Sequence, residues 1–219
     1  MSIAVKVCGL RTAEAFAAAR EGEAAFVGFI FYPPSPRYLP PEEVRDLTNG
    51  TTNGPCKVGV VVNLSDAEIE AIVKAAPLDM LQLHGSESPE RVAEVKARFG
   101  LPVMKAIAVA GPDDIARAEA YLPVADRLLF DAKPPKDLKG ALPGGNALSF
   151  DWQLLAGRDW PLPWMLSGGL TVDNLAEAVR ISRARAVDVS SGVEDRPGEK
   201  NPAKIAALLE RARTLEPVS

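Results

Sequence analysis

Short apolar runs rich in Val, Ile, Leu and Phe recur along the chain, and each is followed by an alanine-rich or charged segment with helical spacing. That alternation predicts parallel β/α units. Strands are expected near 2–7, 25–30, 57–62, 78–82, 102–107, 126–130, 162–166 and 186–189. Helices are expected near 12–21, 41–48, 66–75, 89–99, 113–120, 151–156, 172–180 and 202–213. Several helix starts carry their own signal: Thr12 before AEAF, Ser65 with Glu68 three residues on, and Ser88 followed by Pro89. Strands such as Val58–Val62 and Leu128–Phe130 are apolar at consecutive positions, as parallel strands covered by helices on one face and a core on the other require. Gly59 leaves room there for a neighbouring group.

Eight such units in 219 residues average about 27 residues each, near the small end of the (β/α)8 barrel class. A doubly wound sheet would more often show fewer strands and an early Gly-x-Gly-x-x-Gly. The expected fold is therefore α/β, a single eight-stranded parallel TIM barrel, with residues 1–219 as one domain. Of the three longest irregular stretches, Tyr32–Pro40 and Ala132–Ser149 follow strand C-terminal ends, where barrel enzymes build their sites. The third, Asn49–Pro55, precedes a strand and reads as a connector.

Composition narrows the partners. Lys and Arg total 25 against 29 Asp and Glu, a formal charge of −4, so any anion site must be local and a general nucleic-acid or membrane surface is not expected. No apolar stretch reaches the roughly 18 residues of a membrane span, and the N-terminus lacks the pattern of a cleaved leader, which reads as cytoplasmic. The single His84 and the lack of a Cys-x-x-Cys pair argue against a metal centre. Cys8 closes one strand and Cys56 opens another, at opposite faces of a barrel roughly 16 Å apart, too far for a disulfide.

Candidate chemistry sits at the strand tips. Ser167-Gly168-Gly169 follows the seventh strand and Ser190-Ser191-Gly192 the eighth, the two loops that commonly hold phosphate in such barrels. Cys8 closes AVKV at the mouth of the first strand; a small buried hydrophobe is the other reading of it. Asp131 closes RLLF at the mouth of the sixth, where burial favours the protonated form a general acid needs, or where it caps the loop. Arg37, in PPSPRYLP, offers a planar fork to a carboxylate or phosphate, or is an ordinary solvated arginine. Asp188 lies between apolar neighbours and needs a partner, in a core network or on a ligand. His84 ends LQL and either lines the pocket or is structural.

In order along the chain, KVCGL (6–10), GFIFYPPSPRYL (28–39), VGVVVN (58–63), LQLHG (81–85), LLFDAK (128–133), FDW (150–152), LSGGL (166–170) and VDVSSGVE (187–194) resemble the phosphoribosylanthranilate isomerases of tryptophan biosynthesis. The resemblance implies a cofactor-free Amadori rearrangement of N-(5-phosphoribosyl)anthranilate to 1-(2-carboxyphenylamino)-1-deoxyribulose 5-phosphate. It implies Cys8 as general base, Asp131 as general acid, Arg37 facing the anthranilate carboxylate and Asp188 near the substrate nitrogen; His84, on the pocket-lining reading, is counted with the substrate-binding residues. Phosphate falls to the two serine/glycine loops and to Gly145. As base, Cys8 must be a thiolate, so its pKa has to be lowered by the nearby helix N-terminus or a cation. Two departures stand out: Gly144-Gly145-Asn146-Ala147 replaces a usual Gly-Thr-Gly, and Asn201 replaces an aspartate as a helix cap. The implied partner is a phosphorylated small molecule, for a monomer or weak homodimer. A sister sugar-phosphate epimerase or aldolase would ask for a metal cluster or a Schiff-base lysine, for which only Lys6 and Lys105 lie on strands. A silent phosphate-binding barrel would not need Cys8 and Asp131.

Overall fold

The computed structural model describes residues 2–51, 53–134 and 142–216. Residues 135–141 of the stretch expected to be irregular after the sixth strand, and residue 52 of the connector, lie outside them. Eight parallel strands close into a barrel: β1 (Ala4–Cys8), β2 (Phe26–Ile30), β3 (Cys56–Val61), β4 (Met80–Leu83), β5 (Val103–Val109), β6 (Arg127–Ala132), β7 (Trp164–Leu166) and β8 (Ala186–Val189). The barrel closes where Val5 pairs with Val187 and Lys6 with Asp188. Around it run α1 (Ala13–Glu21), α2 (Pro41–Thr48), α3 (Asp66–Ala75), α4 (Pro89–Phe99), α5 (Pro112–Arg117), α6 (Leu175–Ser182) and α7 (Pro202–Arg213). No helix among the described residues is long and apolar enough to cross a membrane.

The expected caps form. Thr12 Oγ1 accepts from the Ala15 amide, Ser65 and Glu68 close a reciprocal capping box, Ser88 accepts from the Arg91 amide, and Asn201 accepts from the Ala203 and Lys204 amides. Gly59 has the expected neighbours: a Cβ there would lie 2.5 Å from Leu78 Cδ1 and 3.2 Å from Phe31 Cε2.

Three helices differ from expectation. The one near 151–156 is a short 3-10 turn, Trp152–Leu155, capped by Asp151 and ended by Ala156, whose backbone is already extended. The one near 172–180 starts at Leu175, because Thr171 and Asn174 bond each other's amides in a turn that also ties Asn174 Nδ2 to the Gly169 carbonyl. The one near 113–120 is α5 followed by a 3-10 turn, Ala118–Tyr121. After β8 comes an unexpected antiparallel hairpin, β9 (Glu194–Arg196) and β10 (Glu199–Lys200), turning at Gly198, whose φ of +87° favours glycine.

Alternation within the strands sorts the core into two regions. Outward side chains such as Val7, Val27, Leu81 and Leu128 pack under the helices. Val58, Met80, Met104, Leu129, Met165 and Ala186 fill the barrel's lower interior. Toward the C-terminal mouth the interior turns polar, with Lys6, Gln82, Asp131, Ser167 and Asp188 all buried. An apolar plug below and a buried polar layer above is what places the chemistry at this end.

Candidate active site

An open cavity lies at the C-terminal mouth. Its wall combines apolar side chains, including Tyr32, Val60, Leu142 and Leu148, with the titratable groups Cys8, Arg37, His84, Asp131 and Asp188. An apolar pocket with a few converging polar groups is the usual form of a small-molecule site.

Cys8, the last residue of β1, is 5% exposed and points into the barrel two residues above Lys6 on the same face. Lys6 is fully buried, and its ammonium meets Asp188 Oδ1 at 2.8 Å. Asp188 Oδ2 accepts from the Ser167 hydroxyl at 3.2 Å. Burial pushes the Cys8 thiol above its ordinary range; the Lys6 charge opposes this, Asp188 adds to it, and Lys200 opposes it more weakly. The lowering that a thiolate base requires is not supplied by the resting site: desolvation outweighs the cations and favours the thiol form of Cys8. Lys6 behaves in the opposite way: burial pulls its ammonium down, but Asp188, with a smaller share from Cys8, more than offsets this and holds it above its usual range.

On the other side of the mouth, Asp131 near the end of β6 is 5% exposed. Its Oδ1 accepts from the Ala132 amide at 2.9 Å, and its Oδ2 lies 3.3 Å from His84 Nε2. His84 Nδ1 meets the amide of Gln82 at 2.6 Å, two residues back on the same face of β4. Gly144 closes over this pair: a Cβ there would lie 2.6 Å from His84 Nε2 and 2.7 Å from Asp131 Oδ2. A glycine is what lets the β6–β7 loop come so near.

Arg37 reaches the cavity from the β2 loop, its stem lying across Gly9, where a Cβ would be 2.8 Å from Arg37 Cδ. It is not a solvated arginine. Nε and Nη2 donate to the two carboxylate oxygens of Glu194 at 2.8 Å each, and Nη2 also donates to the Gly145 carbonyl at 3.2 Å. Nη1 lies beside Gly145 and has no hydrogen-bond partner among the described residues. Glu194 also pairs with Lys200, whose side chain is 2% exposed. Burial alone would raise the Glu194 carboxyl, but Arg37 and Lys200 more than offset it and hold it below the ordinary range. Lys200 sits below its own ordinary value because burial outweighs the attraction of Glu194.

The two serine/glycine loops meet at one edge of the cavity. Gly168 and Gly169 have φ of +95° and +61° and pass under the Leu148 carbonyl, where a Cβ on either would crowd the backbone. Ser190 Oγ donates to the Cys8 carbonyl at 3.1 Å and lies 3.4 Å from Lys200 Nζ. Gly192 does not line the cavity; it lies so close to the Leu170 carbonyl that no side chain fits, and so presses the second loop against the first.

Of the residues expected from sequence, Cys8, Arg37, His84, Asp131, Gly145, Ser167, Gly168, Gly169, Asp188, Ser190 and Ser191 share this one cavity. Sequence reasoning passed over Glu194, Lys200 and Gln82, and counted Lys6 only as a strand lysine. A lysine inside an apolar strand was the one available signal, since a buried charge needs a partner. Neither strand lysine lines the cavity: Lys6 is committed to Asp188, and Lys105, 2% exposed, to Glu87 Oε2 at 2.7 Å and the Gly85 carbonyl at 2.7 Å.

Comparison with known proteins agrees with this architecture. A family model described as N-(5'phosphoribosyl)anthranilate (PRA) isomerase matches residues 5–211. The N-(5'-phosphoribosyl)anthranilate isomerase of Cereibacter sphaeroides (strain ATCC 17023) is 57% identical over 211 residues, which are 96% of this chain and 99% of that protein. The crystal structure of phosphoribosyl anthranilate isomerase from Thermotoga maritima superposes with a TM-score of 0.86 at 36% identity, covering 97% of this chain and 100% of that one. A phosphoribosyl anthranilate isomerase in complex with reduced 1-(o-carboxyphenylamino)-1-deoxyribulose 5-phosphate superposes at 0.81 with 32% identity, covering 97% and 100%. With the fold, the cavity and sequence identity agreeing along nearly the whole length, the chain belongs to the N-(5'-phosphoribosyl)anthranilate isomerase family, enzymes of tryptophan biosynthesis.

Proposed function

We propose that the isomerisation of N-(5'-phosphoribosyl)anthranilate runs in this chain between Cys8 as general base and Asp131 as general acid. The observation that carries the reading is convergence: β1 and β6, from different sides of the barrel, aim a thiol and a carboxyl into one cavity rimmed by two Ser/Gly loops. The phosphate is assigned to the loops at Ser167–Gly169 and Ser190–Ser191, where glycine lets amides approach an oxyanion and Lys200 lies behind Ser190. Arg37 Nη1 is assigned to the anthranilate carboxylate, with the rest of the guanidinium held by Glu194. Asp188 is assigned to the substrate nitrogen and His84 to holding Asp131. That a relative binds a reduced form of the carboxyphenylamino-deoxyribulose phosphate supports a ligand of this shape.

In this mechanism protonated Asp131 gives its proton to the furanose ring oxygen as the C1′–O bond breaks. The anthranilate nitrogen lone pair forms the C=N bond of a Schiff base. Cys8 thiolate then removes the C2′ proton, and the C–H pair closes an enolamine. The enolamine gains a proton at C1′ and loses one from the C2′ hydroxyl to become the ketone. Because Cys8 rests as a thiol, passing one proton from Cys8 to Asp131 through solvent both arms the pair before the first turnover and resets it after each, and no electrons are exchanged with a cofactor.

Turnover is followed as the loss of anthranilate-type fluorescence. Cys8→Ser and Asp131→Asn are each expected to lower kcat at least ~100-fold, the usual scale for acid–base groups. An unchanged rate in either variant removes that residue from the mechanism; a wild type that binds substrate without turnover favours a silent phosphate-binding barrel.

A further inference from the structure

The cavity wall does not include the most deeply buried charge near it. Lys6 is fully enclosed, so its ammonium never reaches a substrate, yet its surroundings are those of a functional group. It lies on the same face of β1 as Cys8, one step below it, and donates to Asp188 at 2.8 Å. The two heads share the space left by Gly28, the residue that pairs with Cys8 across β1 and β2. A Cβ on Gly28 would be 2.8 Å from Cys8 Sγ and 3.1 Å from Lys6 Nζ, so thiol and ammonium converge on one point that only glycine leaves open.

We propose that Lys6 is a positioning residue of the reaction: its ammonium, sealed between Asp188 and the Cys8 sulfur, is the counter-charge against which Cys8 forms its thiolate. The inference rests on the reading of Cys8 as base. A buried thiolate is unstable without a nearby positive charge, because it has given up its hydration. The charged groups that face Cys8 are few. Lys6 approaches from its own strand, Asp188 from β8, and Lys200 from β10, the last partly neutralised by Glu194. Of the two cations Lys6 acts more strongly on the thiol, and Asp188 opposes it. Asp188 and the thiolate thus compete for one ammonium, and whatever draws Asp188 away leaves more of that charge to Cys8.

The test is the ionisation of Cys8 itself, read from the pH dependence of its alkylation by iodoacetamide. Mass spectrometry of the Cys8 and Cys56 peptides separates the two thiols; Cys56, on which Lys6 is only the weakest of several influences, should move far less than Cys8. In Lys6→Met the Cys8 midpoint is expected to rise by at least about one unit, a tenfold or greater drop in alkylation rate near neutral pH. In Asp188→Asn it is expected to fall, with faster alkylation. The acid limb of kcat/KM should move with the midpoint in Lys6→Met, which a merely structural lysine would not cause. Should Lys6→Met not fold, with Asp188 left as an unpaired buried charge, Lys6→Met/Asp188→Asn removes both charges and should still titrate above wild type. A Cys8 midpoint that stays at the wild-type value without Lys6, or rises in Asp188→Asn, overturns the proposal. Cys8→Ser turnover keeps the two claims apart. Full activity there sinks Cys8 as base whatever the titration does, whereas an inactive Cys8→Ser with an unmoved titration sinks only the role of Lys6.

Discussion

Glu194→Gln probes the network that holds Arg37. The wild-type carboxylate accepts from Arg37 Nε and Nη2 at 2.8 Å each and from Lys200, and all three side chains are under 5% exposed. Glutamine keeps the volume and one acceptor oxygen but removes the charge, so two buried cations face each other across a neutral amide. Breaking a buried pair typically costs 3–5 kcal/mol. The retained acceptor sets the expectation at the low end, about 3 kcal/mol. For a chain of this size that is a fall in Tm of roughly 6–12 °C. Because folding holds the Glu194 carboxyl below its ordinary value near 4.5, the stability it contributes is fully present above that pH. It is lost as pH falls through the lower folded value. The gap between wild type and variant, measured by denaturant unfolding, should therefore be widest above the ordinary value of 4.5 and close as pH falls below it through the lower folded value. In turnover, a relaxed Arg37 should raise KM more than it lowers kcat. A stability loss under about 1 kcal/mol with an unchanged KM would show that the guanidinium is held by something other than Glu194.

Two loop variants follow from the backbone. Ala147 occupies the left-handed region at φ +56°, within the segment that departs from the family's usual Gly-Thr-Gly. Such a conformation costs a non-glycine residue about 1–2 kcal/mol, and glycine's extra freedom in the unfolded chain takes back part of the relief. Ala147→Gly is thus expected to stabilise by about 0.5 kcal/mol in denaturant unfolding, and a clear loss of stability would contradict the strain. Gly144→Ala places a methyl 2.6 Å from His84 Nε2 and 2.7 Å from Asp131 Oδ2. It should lower kcat/KM at least ~10-fold while leaving stability within about 1 kcal/mol, since a surface loop yields more easily than a strand; full activity would mean that the loop stands farther from the acid than these distances say.

The barrel and the main cast of its site were legible in the sequence because both depend on local patterns. Apolar runs two-sided at consecutive positions, capping residues ahead of helical periods, and serine/glycine pairs after the last two strands each report their role within a few residues. Order along the chain did the rest: once strands alternate with helices in a closed parallel sheet, every strand's C-terminal tip faces one mouth, and Cys8, Asp131, Asp188 and the two loops meet there without any long-range signal. The short helix expected near 151–156 is only a 3-10 turn, because the chain turns extended at Ala156 after four residues. What the tertiary structure alone decided is how the charges are paired and at what energy. Glu194 and Lys200 carry no local signal in VEDRPGEK; the hairpin brings Glu194 against Arg37 and Lys200 against Glu194. Lys6 reads only as one of two strand lysines until barrel closure brings Asp188 beside it, 182 positions along the chain. The Cys8 thiol, which a base role requires to be acidified, is raised in the resting site, because burial and a neighbouring carboxylate outweigh two cations. Periodicity carries which face a residue takes; it carries nothing about desolvation or the distance between charges, which exist only after the sheet has closed.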